Sequence, residues 1–547
     1  MKRFLTVAIT LLMLLSLFAC MREDGNKRDE VTTGGYNEGV DIKVEAWATH
    51  LTDKQIANVR PKIQGTSTVY DLYMTRGETE GCQLVVYSNT KIRRSALVFD
   101  ASAHEKDGIT VNAFIMNMAQ AIDQKEWLDA ATPYAGTMVQ LEKRKVVPYI
   151  VEFTTTEDTP AGDYTFTYEF TDKGTNTVYA TFEVNVHVWD IVLPEDKTFA
   201  TAAGISTYYV EQYSGSDAYK SYYDLLLSHN VSAYTLPYDI LDPRADEYMS
   251  DPRVTSFMVG YSVAKDWDDE TLLKYYEKLK SNPVWFEKAL FYVIDEPRSA
   301  SEISKYKSYC ERFARLCPGI DVIAPFYTNN QFGDRTDQVD MMASSTRIWC
   351  PKLCLWDEER SYDRYLDYTP DKSFDERMLE FQAEGDRVWS YVCNAPITPY
   401  AQLFIDTEGV MQRLMMWQHY QRGITGFLYW GTATWGYHGG GANPWFDAFT
   451  GVKDGDGNPV YGEGYLMYPG VTVHVDGAVP SLRLKILRDG IDDIELMYLA
   501  EKHLGREWVM EKVNVATPTL TSYTTEENFY KLRKEIGDAL EKALAKK

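Results

Sequence analysis

Ala289-Leu290-Phe291-Tyr292-Val293-Ile294 runs directly into Asp295-Glu296-Pro297. The unbroken apolar run reads as a buried strand, and two carboxylates at the end of such a strand are costly to keep unless they are used or paired. Other acidic doublets occur, namely Asp246-Glu247, Asp269-Glu270, Asp357-Glu358 and Asp375-Glu376, but in polar or helix-start contexts where solvated surface explains them. A purely structural role also fits Asp295-Glu296-Pro297: a loop that caps the next helix, with Pro297 in its first turn.

The same rhythm extends to both sides. Apolar runs recur at Phe199 to Ile205, Val231 to Leu236, Val254 to Gly260, Ala289 to Ile294, Ile320 to Phe326, Thr346 to Cys350, Arg387 to Cys393 and Ile424 to Trp430. Helix-like charged segments lie between them, among them Tyr219 to His229, Asp269 to Leu279, Ile303 to Cys317, Phe374 to Glu384 and Gly409 to Arg422. Eight such units over residues 196–510 predict a (β/α)8 TIM barrel, with the fourth strand ending at Asp295. A doubly wound open sheet is the rival, but no GxGxxG follows any of the runs. Upstream, residues 41–195 show short alternating strands such as Tyr164 to Phe170 and Thr181 to Val188, with Asp172-Lys173-Gly174 as a hairpin signal between them. That pattern predicts an antiparallel β-sandwich. Downstream, residues 511–547 form a helical segment: Thr524 and Glu527 make a capping-box pattern, and Phe529, Leu532, Ile536 and Leu540 line one face.

Residues 1–19 read as an export signal, with basic Lys2 and Arg3 before an apolar stretch too short to favour a membrane span. The stretch ends in Leu17-Phe18-Ala19-Cys20, which resembles a bacterial lipobox, so Cys20 is the expected lipidation site and 20–40 the flexible tether. This predicts an outer-membrane lipoprotein, held to the membrane only by its N-terminal anchor. Of the other cysteines, Cys82, Cys310, Cys317, Cys350, Cys354 and Cys393, most read as buried thiols. The net charge of -24 excludes a polyanion partner, and nucleic acid with it. The 8 histidines form no metal-ligand spacing, so no metal is expected. Asp454-Gly455-Asp456-Gly457-Asn458 begins like a calcium loop, but Pro459 stands where the turn glycine belongs, and a plain turn is expected.

In a barrel, working residues sit at the C-terminal ends of strands. Those ends carry Tyr327, Asn329, Trp349, Tyr391, Asn394, Tyr429 and Trp430, with Trp435 shortly after. Rings of this kind stack on pyranose faces, and Asn and Tyr bond hydroxyls, although core packing explains any single aromatic equally well. Taken with Asp295-Glu296, three further segments resemble glycoside hydrolase family 123. They are Gly426-Phe427-Leu428-Tyr429-Trp430, Gly462-Glu463-Gly464-Tyr465-Leu466-Met467-Tyr468-Pro469-Gly470, and the stretch from Pro480 through Leu487-Arg488-Asp489-Gly490-Ile491 to Asp493. The resemblance implies a β-N-acetylgalactosaminidase that acts on terminal GalNAc with retention, through the substrate's own acetamide. It implies Glu296 as general acid and base, Asp295 as the group that orients the acetamide, and no cofactor. Tyr327, Asn329, Tyr391 and Trp430 are then candidates to hold the sugar, Arg488-Asp489 to brace the barrel from behind, and the loop Tyr437-His438-Gly439-Gly440-Gly441 to close over the site. Two alternatives stay open: a hexosaminidase for another 2-acetamido sugar, and a non-catalytic glycan-binding lipoprotein.

Overall fold

The computed structural model describes residues 42–61, 67–103, 105–357, 366–436 and 443–546. The signal 1–19, Cys20, the tether 20–40 and the loop 437–441 lie outside the described residues. Ten strands come first: β1 Val44–His50, β2 Val69–Arg76, β3 Thr79–Ser88, β4 Ile92–Val98, β5 Ile109–Ile122, β6 Lys125–Pro133, β7 Val139–Leu141, β8 Val146–Thr155, β9 Gly162–Asp172 and β10 Thr177–Val192. They build two five-stranded sheets, in the orders β1-β3-β8-β5-β6 and β2-β10-β9-β4-β7. The alternation read in the sequence is the alternation observed: Phe166, Tyr168 and Phe170 of β9 and Phe182, Val184 and Val186 of β10 are buried. Phe153 of β8 meets Phe166 of β9 at 4.6 Å between ring centroids, so the apolar faces of the two sheets pack together. The hairpin between β9 and β10 is pinned by Asp172, whose carboxylate accepts the amide of Gly174 at 2.7 Å. One pairing departs from the antiparallel expectation, because β2 and β10 run parallel. Gly77, at φ 76°, turns the chain from β2 into the other sheet, and a strand from the far end of the region takes the vacated neighbour position.

The second region is α/β. Its strands are β11 Ala200–Ala203, β12 Phe257–Met258, β13 Ala289–Leu290, β14 Ile323–Phe326, β15 Ile348–Pro351, β16 Arg387–Val392 and β17 Gly426–Tyr429. Helices occupy the intervening segments, for example Asp269–Lys280, Ala300–Leu316 and Phe374–Ala383. The expected eight-stranded closed sheet is met only in part. Five strands form one parallel sheet, β11-β17-β16-β15-β14, while β12 and β13 pair separately. The run Val231 to Leu236 makes a single bridge, Ala233 to Ala203, and Phe291 makes another to Val322. Side chains explain the interruption beside β11. The amide of Thr201 donates to Thr255 Oγ1 at 2.9 Å, that of Ser232 to Thr201 Oγ1 at 2.9 Å and that of Thr255 to Ser232 Oγ at 2.8 Å. Hydroxyls thus occupy backbone donors that a regular ladder would use.

Helices α1 Gly409–Gln421, α2 Leu482–Leu504 and α3 Glu526–Leu544 pack this region against the sheets. Their contact is ionic as well as apolar. Arg413 of α1 bonds Glu80 of β3 at 2.7 Å and Asp493 of α2 at 2.8 Å, with all three side chains buried. Arg533 of α3 reaches Asp493 at 2.6 Å and also bonds Glu78. Arg488 and Lys485 of α2 each bond Glu152 of β8 at 2.8 Å, and Arg488 also holds Asp489 at 2.7 Å, so Arg488 and Asp489 belong to the join between α2 and the sheets. Burial alone would raise the Glu152 pKa, but Arg488 and Lys485 hold it down to about 2. Helix α3 is capped by Thr525 rather than Thr524, and buries Phe529, Leu532, Ile536 and Leu540 as expected. Cys82, Cys310, Cys317, Cys350 and Cys354 are buried, and Cys393 is half-buried. Asp454 makes the turn of a hairpin, its carboxylate accepting the amides of Asp456 and Asn458 at 2.9 and 2.8 Å.

Candidate active site

Ser299 answers the capping question at the end of the fourth run. Its hydroxyl accepts the Glu302 amide at 3.2 Å and the Glu302 carboxylate accepts the Ser299 amide at 2.9 Å, a complete capping box for Ala300–Leu316. Pro297 lies ahead of that helix, and neither Asp295 nor Glu296 caps it. By contrast, Asp246-Glu247, Asp269-Glu270 and Asp375-Glu376 all fall in helix first turns, where carboxylates favour the dipole. Glu296 has φ 45°, a left-handed backbone that a residue other than glycine adopts at a cost. The turn is tied down by Gln338, which donates to the Pro297 carbonyl at 2.8 Å, and by Asn330, which donates to the Arg298 carbonyl at 3.0 Å.

The two acids sit in unlike surroundings. Asp295 is exposed, and its carboxylate accepts the Tyr292 hydroxyl at 2.7 Å. Glu296 is half-buried and accepts the Tyr391 hydroxyl. Burial raises the Glu296 pKa, the neighbouring Asp295 charge adds to the rise, and the Tyr391 hydrogen bond, Lys352 and Arg298 oppose it. The result is a carboxyl whose proton is held more firmly than usual, beside a carboxylate that faces solvent. Three tyrosines back the Asp295 side: Tyr292 lies 5.3 Å from Tyr261 and 6.1 Å from Tyr234, centroid to centroid.

The remaining candidates divide by strand parity. Ile348 and Cys350 of β15, Trp389 and Tyr391 of β16 and Leu428 of β17 share one apolar cluster with Leu290 and Tyr292. Trp349 and Tyr429, one position out of phase, belong to the other cluster, shared with the helices. Trp349 is fully buried, stacks on Phe381 at 4.5 Å and donates to Asp386 at 2.9 Å. Tyr429 is buried and its hydroxyl accepts the Gly464 amide at 3.2 Å. Trp435 is buried against Tyr213 and Tyr222 and donates to the Met467 carbonyl at 3.0 Å. Asn329 is buried as well, bonded to Asp337 at 2.9 Å and to the Val339 amide at 3.3 Å. These four therefore pack or hold the scaffold and present no group beside the acids. Asn394 donates to the Lys453 carbonyl at 2.7 Å. Tyr391 belongs with the pair, and Tyr327 is joined to Arg298 and Lys352, two cations that act on Glu296. Tyr327 is half-buried; its hydroxyl accepts Arg298 at 2.5 Å, and the Lys352 ammonium sits over its ring at 4.7 Å. Trp430 is also half-buried, and its indole donates to Glu463. Sequence reading passed over Arg298, Lys352, Tyr292 and Glu463. Tyr292 was the findable one, three residues before Asp295 on the same run.

The glycoside hydrolase 123 catalytic-domain model matches residues 220–500, a span that includes Asp295, Glu296, Trp430 and Glu463. The chain belongs to glycoside hydrolase family 123. A family 123 glycoside hydrolase from Clostridium perfringens, described for glycolipid glycan hydrolysis, superposes with a TM-score of 0.64 at 12% identity, covering 92% of this chain and 98% of that one. At that identity the likeness is one of fold, and it extends over both regions. A family 39 glycoside hydrolase from Bacteroides cellulosilyticus WH2 aligns over 80% of this chain and 82% of its own at 9% identity, with a TM-score of 0.33. No curated protein matches the chain. Family 123 membership makes the chain a glycosidase whose substrates are glycans.

Proposed function

We propose that the chain is an exo-acting β-N-acetylgalactosaminidase that removes terminal GalNAc with retention, the substrate's acetamide oxygen serving as nucleophile. Glu296 protonates the departing glycosidic oxygen and then takes a proton from the incoming water. Asp295 orients the acetamide and stabilises the positive charge of the oxazolinium intermediate. The observation that carries this reading is the pairing of a half-buried Glu296, bonded by Tyr391 and with its pKa raised by burial, with an exposed Asp295 one residue away. Acid–base work needs the first, and steering a polar substrate group needs the second. Adjacent carboxylates suit a reaction in which the nucleophile comes from the sugar, since the protein need not supply carboxylates on both sides of the anomeric carbon. Tyr391 on Glu296, Tyr327 on Arg298, and Trp430 at the end of β17 are the proposed sugar contacts. The chemistry asks for no cofactor. Inward side chains from the successive strand runs gather in one cluster, which supports reading the α/β region as a (β/α)8 barrel with the acids at its C-terminal mouth.

The assay is hydrolysis of aryl β-GalNAc and β-GlcNAc. Faster cleavage of the GalNAc glycoside, with inhibition by a thiazoline analogue of the intermediate, is expected; activity on neither, with glycan binding intact, refutes the enzyme. The leader and Leu17-Phe18-Ala19-Cys20 support a lipid-anchored, outer-membrane location. Cys20→Ala should move the protein from the membrane fraction to the soluble one, and an unchanged membrane fraction refutes the anchor.

A further inference from the structure

We propose that Glu463 is a positioning residue of the sugar site, holding the Trp430 indole in place as a wall against which the sugar ring packs. This rests on the reading of the strand-end residues as a sugar site. Glu463 is carried between two glycines that the backbone and the packing both require. Gly462 and Gly464 have φ 79° and 80°. A Cβ on Gly462 would meet Ile405 at 2.6 Å and Arg483 at 2.8 Å, and one on Gly464 would meet the Trp430 ring at 2.5 Å. The turn is therefore moulded onto the indole, and Glu463, fully buried, receives the indole N–H. Trp430 also packs against the apolar cluster of Phe404, Val452 and Val460. The ring is thus held at its N–H and by apolar packing, while part of it stays open to solvent at the end of β17.

The position lies within reach of the same thiol as Glu296. The charge of Glu463 is felt at Cys393, which also feels Glu296 and Lys352. An ionised carboxylate is an expensive way to hold a buried indole, because an amide would accept the same hydrogen bond at a much smaller desolvation cost. The titratable and charged groups facing Glu463 are Arg483 from α2, Cys393 after β16 and Tyr429 from β17. Arg483 is itself bonded to Asp129 and to the carbonyls of Leu403 and Gly462. Burial pushes the Glu463 pKa up to about 8, against the opposing effects of Trp430 and Arg483. The neutral acid therefore holds the ring at pH 7, and ionisation above that pH sets a buried charge beside it.

Two readouts test this. The Trp430 fluorescence, taken as the difference between wild type and Trp430→Phe, should show a transition near pH 8 that is absent in Glu463→Gln. KM for an aryl β-N-acetylhexosaminide should rise severalfold through the same transition in wild type and stay flat with pH in Glu463→Gln. In Glu463→Leu, which offers no acceptor, KM should rise about tenfold or more while kcat changes less, with a thermal melt confirming that the variant is folded. Loss of the acceptor with KM unmoved, a Trp430 signal flat with pH in wild type, or a transition that survives in Glu463→Gln overturns the proposal. A wild-type protein that cleaves neither aryl glycoside refutes the functional reading instead. The indole titration needs no substrate and still decides whether Glu463 sets Trp430.

Discussion

Glu296 and Asp295 share a peptide bond yet differ in exposure and in tyrosine partner. Adjacency therefore does not make them interchangeable, and their variants should fail differently. Glu296→Gln should lose about 10²- to 10⁴-fold on substrates with poor leaving groups, the usual worth of a general acid, and much less on activated aryl glycosides. Asp295→Asn should lose activity on both kinds. Steady-state kinetics on the two substrate classes checks this, and full activity of either variant on a natural glycan rules the pair out. Tyr391 gives a finer test. Its hydroxyl favours the ionised form of Glu296, so Tyr391→Phe should raise the Glu296 pKa further. Protonation of the leaving group requires the acid form, so the alkaline limb of kcat/KM should move to higher pH in that variant. A limb that stays put or moves down would show that the tyrosine does not act on Glu296.

At the scale of elements, the join between the sheets and the helices is an ion network under cover. Arg413 is fully buried between Glu80 of β3 and Asp493 of α2. Removing one member of a buried pair leaves a charge stranded, which costs about 3–5 kcal/mol. Arg413→Met should lower the unfolding free energy by that amount in a denaturant titration, and a change below about 1 kcal/mol would mean that the network relaxes around the gap. Helix α3 contributes Arg533 to the same network. Its amphipathic face was legible in the sequence; the arginine among the buried positions was not, because an Arg in a helical pattern reads as solvated until the facing acids are known.

For the whole molecule, the network means that the sheets and the α/β region stabilise each other. A chain beginning at residue 196 leaves Arg413, Arg533, Lys485 and Arg488 without Glu78, Glu80 and Glu152. Such a fragment should be insoluble or lack a cooperative melt, and a soluble fragment with the full chain's thermal midpoint would contradict this. By itself, the sequence determined the order of the elements, since apolar period and turn chemistry are local properties that survive in the fold. It also located Asp295-Glu296, because an apolar run ending in two acids is visible without any long-range contact. Tertiary structure decided what faces what. Trp349 and Tyr391 looked alike as aromatics near strand ends, and a one-residue difference in phase sent the first among the helices and the second to Glu296. The regular parallel ladder also broke off beside β11, where hydroxyls of Thr201, Ser232 and Thr255 took backbone donors. Phase and side-chain capture depend on partners distant in the chain, and no local pattern records them.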